Sequence, residues 1–252
     1  MNYFLDLKDN RLQEVSRLIK DHFLSGEGAK IFDVFENTTK ISSGDICVFS
    51  PAYKWNQNIL EALPKGSIVF GGNMPPELKS QTNKLIYHNM MEVESFVVGN
   101  AKLTAEGFLS KLIEQTNRSI FEEKILIIGS GRVAKALWTM LNKLGVKFDC
   151  VMRNPKELAL SRLFCDKAFD LAILNEKLPD YSVVINTVPA LLFEGDKSFQ
   201  SGATLFELAS IKCLSGQASN IKYILCPALP SLFMPKTAGK LIFEVVENSL
   251  KL

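Results

Sequence analysis

The sequence has few cysteines, and their arrangement indicates neither a metal site nor a disulfide framework. There are five of them, an odd number, and no two lie within four residues of one another. Structural zinc sites in proteins use closely spaced pairs of cysteine or histidine ligands. We therefore expect reduced thiols buried in the core, no resident metal and no disulfides.

The sequence also lacks an excess of one charge and any long apolar run. Lys and Arg number 29 against 27 for Asp and Glu, with no dense basic segment, so nucleic acid is not an expected partner. The longest apolar stretches, such as Ile125–Ile128 and Val183–Phe193, are too short or too polar to span a bilayer. Asp6, Lys8 and Arg11 stand where a signal peptide would need an apolar core. These features predict a cytoplasmic protein without a membrane partner.

What the 252 residues do show is an alternation of short apolar runs with helical patterns, which predicts an α/β fold with mostly parallel sheets. Residues 1–98 form the predicted smaller, substrate-side α/β domain. Its strands are expected at Tyr3–Leu7, Lys30–Phe35, Asp45–Phe49, Ser67–Phe70 and Lys84–Tyr87, with a helix around Leu12–Phe23 ended by Gly26 and Gly28, and a second helix at Asn56–Leu63.

A linker helix over residues 103–117 is expected to join this domain to a second one over residues 99–234. Thr104 is a plausible N-cap for it, and Glu106 would lie in the first turn, where the helix dipole favours negative charge. A final helix over residues 235–252 is expected to pack near the domain interface.

The second domain carries the most informative local pattern. An apolar strand at Lys124–Ile128 is followed by Gly129–Ala134, which matches G-x-G-x-x-A, and then by an amphipathic helix that Gly145 ends. This context predicts a Rossmann-type dinucleotide-binding domain. Gly129 would permit the tight turn and Gly131 the close approach of a pyrophosphate, which would lie at the positive end of the helix.

The residue after the second strand of such a domain discriminates NAD from NADP. An acid there binds the ribose 2′-hydroxyl, whereas a base accommodates a 2′-phosphate. The strand at Val146–Met152 is followed by Arg153 and Asn154, and Asp149 lies inside it. Because a guanidinium suits a phosphate, we predict NADP as the cofactor, with NAD as the alternative.

Three further loops are expected to face the ligand crevice beyond the carboxyl ends of the strands. Thr187 and Ser210 could hydrogen-bond ribose or carboxamide groups, and Lys236 and Thr237 lie at a predicted helix start that suits a carboxylate. A solvated surface charge is the alternative for Lys236. The candidate cofactor-binding residues are Gly129, Ser130, Gly131, Arg132, Val133, Arg153, Asn154, Thr187, Val188, Pro189 and Ser210.

Taken in order, the motifs of the second half resemble the dipicolinate synthase A family. The resemblance covers roughly residues 95–250. It rests on Asn100–Gly107 (Asn-x-x-x-Thr-Ala-Glu-Gly), the strand and glycine turn at Ile125–Ala134, Arg153-Asn154, Ile185–Ala190 (I-N-T-V-P-A), Leu208-Ala209-Ser210, Pro227–Pro230 and Pro235–Gly239 (P-K-T-A-G).

The resemblance implies an oxidoreductase that passes a hydride from a dihydro- or hydroxytetrahydrodipicolinate to NADP, in the mother-cell cytoplasm of a sporulating bacterium. It also implies a partner, the flavoprotein-like B component of dipicolinate synthase; a homo-oligomer is possible. The candidate catalytic residues are Lys236, Glu106 and His88; His88 is included because it follows a predicted strand of the first domain and could face the cleft. The candidate substrate-binding residues are Asn100, Thr104, Lys236 and Thr237.

Two alternatives stay open. After Ser210 the chain reads Ile211-Lys212-Cys213, where the family has a basic residue, proline and two glycines. This departure favours a non-catalytic, nucleotide-binding regulatory subunit. The other alternative is a dehydrogenase of the same fold that acts on a shikimate-type compound or a 2-hydroxy acid.

Overall fold

The chain forms two compact α/β units. A computed structural model describes residues 2–23 and 30–250, with only the backbone of Phe23. The first unit comprises Met1–Asn100 together with Pro230–Leu252, and the second unit comprises Ala101–Leu229. Each unit has its own parallel sheet and its own buried apolar clusters. The α/β class with two parallel-sheet domains, predicted from the sequence, is therefore confirmed.

The first unit has a five-stranded parallel sheet in the order β2-β1-β3-β4-β5, which is a doubly wound, flavodoxin-like arrangement. Its strands are β1 (Asn2–Leu5), β2 (Lys30–Asp33), β3 (Ile46–Val48), β4 (Ile68–Gly71) and β5 (Ile86–Asn89), and its first helices are α1 (Asn10–Phe23) and α2 (Gln57–Ala62). The helix end expected at Gly26 and Gly28 lies outside the described residues.

Helix α3 (Glu94–Gln115) is longer than the sequence pattern predicts. The N-cap expected at Thr104 is wrong, because the helix begins at Glu94 and places Thr104 and Glu106 in its interior. Gly99 lies inside the helix at a close contact, since a Cβ there would lie 2.9 Å from the Leu241 side chain. A larger residue would therefore crowd Leu241, which favours glycine at this position. Tertiary packing thus outweighs the low helix propensity of glycine.

The second unit has a six-stranded parallel sheet in the order β11-β10-β9-β6-β7-β8. It has the arrangement 3-2-1-4-5-6 of dinucleotide-binding Rossmann domains, read from the β8 edge. The strands are β6 (Ile125–Ile128), β7 (Asp149–Met152), β8 (Ala168–Asp170), β9 (Val183–Asn186), β10 (Thr204–Glu207) and β11 (Lys222–Leu225). Strand β8 has no counterpart among the expected strands, since it is short and only partly buried.

The helices of the second half are α4 (Arg132–Leu144), α5 (Pro155–Ser161), α6 (Leu174–Lys177), α7 (Leu229–Phe233) and α8 (Pro235–Leu250). In α4 the buried residues Ala134, Leu137, Trp138 and Leu141 recur at helical spacing and belong to the same core cluster as strand residues of the sheet. Gly145 ends the helix in a left-handed conformation, with φ of 75°.

Helix α8 belongs to the first unit and packs along α1. The two helices approach so closely that a Cβ at Gly239 would lie 2.5 Å from the Arg11 carbonyl oxygen. The segment Pro230–Met234, expected with the dinucleotide-binding domain, also lies in the first unit. No helix within residues 2–23 and 30–250 is both long enough and apolar enough to cross a bilayer.

Candidate functional site

The turn between β6 and α4 depends on a glycine at its first position. Gly129 is buried with φ of 113°, and its N–H donates to the Val151 carbonyl oxygen at 2.9 Å. A Cβ at Gly129 would lie 2.3 Å from Thr187 Oγ1. The backbone conformation and the adjacent loop therefore both require glycine at this position.

The second glycine of the turn leaves open space. A Cβ at Gly131 would meet no heavy atom within 4 Å. Its φ of −72° is accessible to any residue, so the backbone conformation does not require glycine here. Gly131 is also the N-cap of α4 and provides no side-chain hydrogen bond to the helix. The first turn of a helix leaves N–H groups without intrahelical acceptors, so the space beside Gly131 lies at an anion-binding helix end. Ser130 is half-buried there, and Arg132 is exposed.

The turn lies at the switch point of the sheet, because β6 pairs with β7 on one side and with β9 on the other. The loop after β9 is held against it. Thr187 donates from its Oγ1 to the Ile128 carbonyl oxygen at 2.7 Å, and its N–H donates to the same oxygen. Since the hydroxyl proton is used in this bond, the Thr187 side chain can offer a ligand only an acceptor. Val188 is half-buried and Pro189 is exposed.

A buried carboxylate that no sequence motif marks lies beside this loop. Glu207 ends β10 and is 3 % exposed. It accepts hydrogen bonds from the side chain of Asn186 and from the Ala209 and Cys213 backbone N–H groups. The sequence feature that could have pointed to Glu207 is an acid at the end of an apolar strand. A carboxylate buried there needs several hydrogen-bond donors, so it indicates a polar network around it. Ser210, between these anchored residues, is exposed.

The end of β7 presents Arg153 to solvent, immediately after the buried Met152. Asn154 is already engaged, since its Oδ1 accepts from the Lys156 and Glu157 N–H groups and caps α5. Its side chain is therefore a structural cap, which leaves Arg153 as the polar group of this strand end.

Asp149 lies at the opposite end of β7 from Arg153. It accepts from Tyr181 Oη at 2.6 Å and from the Lys167 N–H at 2.8 Å. Burial and the Asp149 carboxylate raise the pKa of Tyr181, so the phenol stays protonated and keeps donating. Asp149 also lines a cavity of about 580 Å³ at the amino ends of the strands, together with Lys124 and Lys167. Dinucleotides bind at the carboxyl ends, so this cavity is not the cofactor site.

The candidate residues of the first half lie in regular structure. The sequence predicts that His88 follows a strand, but it lies within β5. Its ring stacks on Phe70 with centroids 4.6 Å apart. Burial lowers the pKa of His88, so the imidazole is neutral at pH 7. Asn100, Thr104 and Glu106 are all interior positions of α3, and Glu106 is exposed.

Lys236 and Thr237 are exposed in the first turn of α8. The short helix α7 precedes α8 directly, and the Ala238 N–H donates to the Met234 carbonyl oxygen at 2.9 Å. This is the ordinary first i→i−4 bond of α8, so Ala238 offers no N–H to an anion, and the exposed ammonium group of Lys236 is the charged group of this helix start. Arg17 and, more weakly, Lys236 lower the pKa of Glu14.

Within the part of the chain that the structure describes, no three His, Cys, Asp or Glu side chains converge as ligands for a metal ion. All five cysteines are free thiols, four of them buried and Cys165 partly exposed. Burial raises the pKa of Cys226 to about 11 and that of Cys47 to about 12, which keeps both thiols protonated and unreactive.

The fold defined by these two parallel sheets is that of two-domain, Rossmann-type dehydrogenases. One structural neighbour is the NAD-complexed D-isomer specific 2-hydroxyacid dehydrogenase from Lactobacillus delbrueckii ssp. bulgaricus. Its TM-score is 0.58 at 10 % identity, with 99 % of this chain and 96 % of that chain covered. No protein-family model matches the chain.

Within this class, two similarities confirm the resemblance to the dipicolinate synthase A family. The chain is 24 % identical over 214 residues to dipicolinate synthase A of Bacillus subtilis (strain 168), covering 77 % of this chain and 68 % of the relative. Dipicolinate synthase A from Bacillus halodurans has a TM-score of 0.82 at 21 % identity, with 100 % of this chain and 98 % of that chain covered.

Proposed function

We propose that the chain is an NAD(P)-dependent dehydrogenase that binds its cofactor at the turn between β6 and α4. The observation that carries the proposal is the open space beside Gly131, at a helix N-terminus and at the switch point of a Rossmann-type sheet. The residues there fit a dinucleotide: a larger side chain in place of the glycine would fill this space, and the first turn has no side-chain cap.

The roles of the protein groups follow from their hydrogen bonds. N–H groups of the first turn of α4, with the helix dipole, would hold the pyrophosphate. Thr187 would accept from a ribose hydroxyl or a carboxamide N–H, because its own proton is already donated to Ile128. When bound, the nicotinamide supplies a hydride acceptor.

The finer proposal names the substrate as a dihydro- or hydroxytetrahydrodipicolinate, from the resemblance to the dipicolinate synthase A family. A dihydrodipicolinate loses one hydride and one proton as its ring becomes aromatic. Its two carboxylates need cationic or N–H donors, and we assign Lys236 and Thr237 to one of them. Under the same proposal Asn100, Thr104, Glu106 and His88 stay candidate substrate contacts, the B component of the synthase is the partner, and the site of action is the mother-cell cytoplasm.

Turnover of freshly prepared dihydrodipicolinate tests this function. We expect the purified chain, with or without the B component, to reduce NAD or NADP and to form one dipicolinate per reduced nucleotide. Absorbance of the reduced nicotinamide and chromatography of the acid measure the two products. Nucleotide binding without turnover of any substrate would indicate the regulatory role instead. Turnover of a 2-hydroxy acid or a shikimate-type compound would indicate the other alternative.

Arg153 predicts a preference for NADP over NAD. Arg153→Asp should reverse the order of the two dissociation constants, because an acid favours the 2′-hydroxyl and repels a 2′-phosphate. The loss of one charge-assisted hydrogen bond corresponds to about 1.5–3 kcal/mol, or roughly 10- to 150-fold weaker NADP binding. Calorimetric titration measures both constants.

Arg162 provides the matched control for this change, since it is exposed at the end of α5. Arg162→Asp makes the same change of charge and should leave both constants within about twofold of the wild type. Tighter binding of NAD than of NADP by the wild-type chain would contradict the preference.

A further inference from the structure

The carboxylate of Glu207 is surrounded by neutral donors. Its Oε1 accepts from Asn186 Nδ2 at 2.7 Å and from the Ala209 N–H at 3.1 Å. Its Oε2 accepts from the Cys213 N–H at 2.7 Å and from Tyr223 Oη at 3.1 Å. A carboxylate accepts on both oxygens, whereas an amide nitrogen would face two N–H donors in place of Oε1, or the Cys213 N–H in place of Oε2.

These bonds join two loops at the carboxyl ends of β9 and β10. Asn186 is fully buried, and it bonds to Val188 as well as to Glu207. Its Nδ2 donates to the Val188 carbonyl oxygen at 2.9 Å, and its Oδ1 accepts from the Val188 N–H at 3.0 Å. Ala209 and Cys213 flank the exposed segment Ser210–Lys212. Glu207 therefore connects the turn that contacts Gly129 with the loop that follows β10.

Both loops belong to one half of the sheet. A Rossmann-type sheet consists of two mononucleotide-binding halves, and β9 and β10 are the fourth and fifth strands of the second unit along the chain. The pyrophosphate turn and Arg153 follow β6 and β7, in the other half. The contacts of Glu207 thus concern the nicotinamide side of the crevice rather than the adenosine side.

We propose that Glu207 is a positioning residue for the nicotinamide half of the cofactor. Through Asn186 it holds Thr187 and Val188, and through Ala209 and Cys213 it holds the Ser210–Lys212 loop. Cys213 is also anchored independently, because its carbonyl oxygen accepts from the Leu192 and Phe193 N–H groups. Loss of the carboxylate therefore frees the loop between the anchors without releasing β10. The inference rests on the proposed cofactor site and adds to it the group that orders its nicotinamide side.

Glu207→Gln tests the proposal with probes that share the adenosine half. We expect the dissociation constants of NAD and NADP to rise about 10-fold or more, because at least one buried N–H donor loses its acceptor. ADP ends at the pyrophosphate and lacks both the nicotinamide and its ribose, so its dissociation constant should stay within about twofold of the wild type. A general loss of structure would weaken all three ligands equally, so the split between them reports positioning.

Tyr223→Phe is the milder variant, since it removes one donor and leaves the carboxylate. It should show the same split with a smaller rise, about two- to fivefold for NAD and NADP, and it stays informative where Glu207→Gln fails to fold. Equal weakening of ADP and NAD, or unchanged NAD and NADP binding in both variants, would overturn the inference. Wild-type protein that binds none of the three ligands would overturn the proposed function, and this inference with it.

Discussion

Gly131→Val is expected to abolish cofactor binding and to leave the protein folded. The new side chain meets no protein atom near its Cβ, and φ of −72° is acceptable for valine, so the melting temperature should fall only slightly, because valine is a poorer N-cap than glycine. The space that it fills is the one a pyrophosphate needs beside the first turn of α4. We expect the dissociation constants of NAD and NADP to rise at least about 100-fold, which corresponds to about 2.8 kcal/mol.

Calorimetric titration and thermal unfolding of the same sample measure the two quantities. Wild-type affinity in Gly131→Val would show that the phosphates bind elsewhere. Gly129→Val is the instructive companion, since its Cβ would lie 2.3 Å from Thr187 Oγ1 at a φ of 113°. Gly129→Val should lose both cofactor binding and stability, whereas Gly131→Val should lose binding and little stability. This difference distinguishes Gly129, which the turn requires, from Gly131, beside which the cofactor binds.

Gly239→Val is expected to lower the free energy of unfolding by about 2–3 kcal/mol. A Cβ at this position would lie 2.5 Å from the Arg11 carbonyl oxygen and 2.7 Å from the Glu14 Cβ. The first of these atoms is backbone of α1, so the two helices must separate, and overpacking of this kind costs about 1–3 kcal/mol or more. Valine gains only a few tenths of a kcal/mol over glycine in helix propensity, which is too little to offset the clash.

Urea unfolding measures the effect, and Gly131→Val is the control, because the same chemical change is made where no neighbour lies within 4 Å. A midpoint equal to that of the wild type would show that α8 does not depend on its close approach to α1. NAD and NADP affinities of the folded Gly239→Val protein should be unchanged, since Gly239 belongs to the first unit and the proposed cofactor turn to the second.

The P-K-T-A-G segment itself divides by role. Gly239 and Ala238 are buried, and Gly239 packs against α1, so their small size serves helix packing. Lys236 and Thr237 are exposed on the same turn. A motif that the sequence presents as one functional unit is therefore half structural, and only its exposed residues are candidates for substrate contact.

The sequence by itself determined the features that depend on neighbours along the chain. The strand, glycine turn and helix from Ile125 to Gly145 follow from local periodicity and from two conformational requirements for glycine. The Asn154 cap is local in the same way, because its acceptor and the N–H groups that it bonds lie within three residues. Such features can be predicted because the stabilising partner is always close in sequence.

Tertiary structure alone decided the features whose partners are distant in sequence. Helix α3 begins at Glu94 and contains Gly99, which packs against Leu241, a residue distant in sequence. Glu207 has a role only because β9 brings Asn186 beside β10. The strand order, which makes the turn at Gly129 a switch point, likewise arises from pairing between segments that no local pattern connects. Burial and hydrogen bonding across the sheet, rather than propensity, set these contacts and therefore the candidate site.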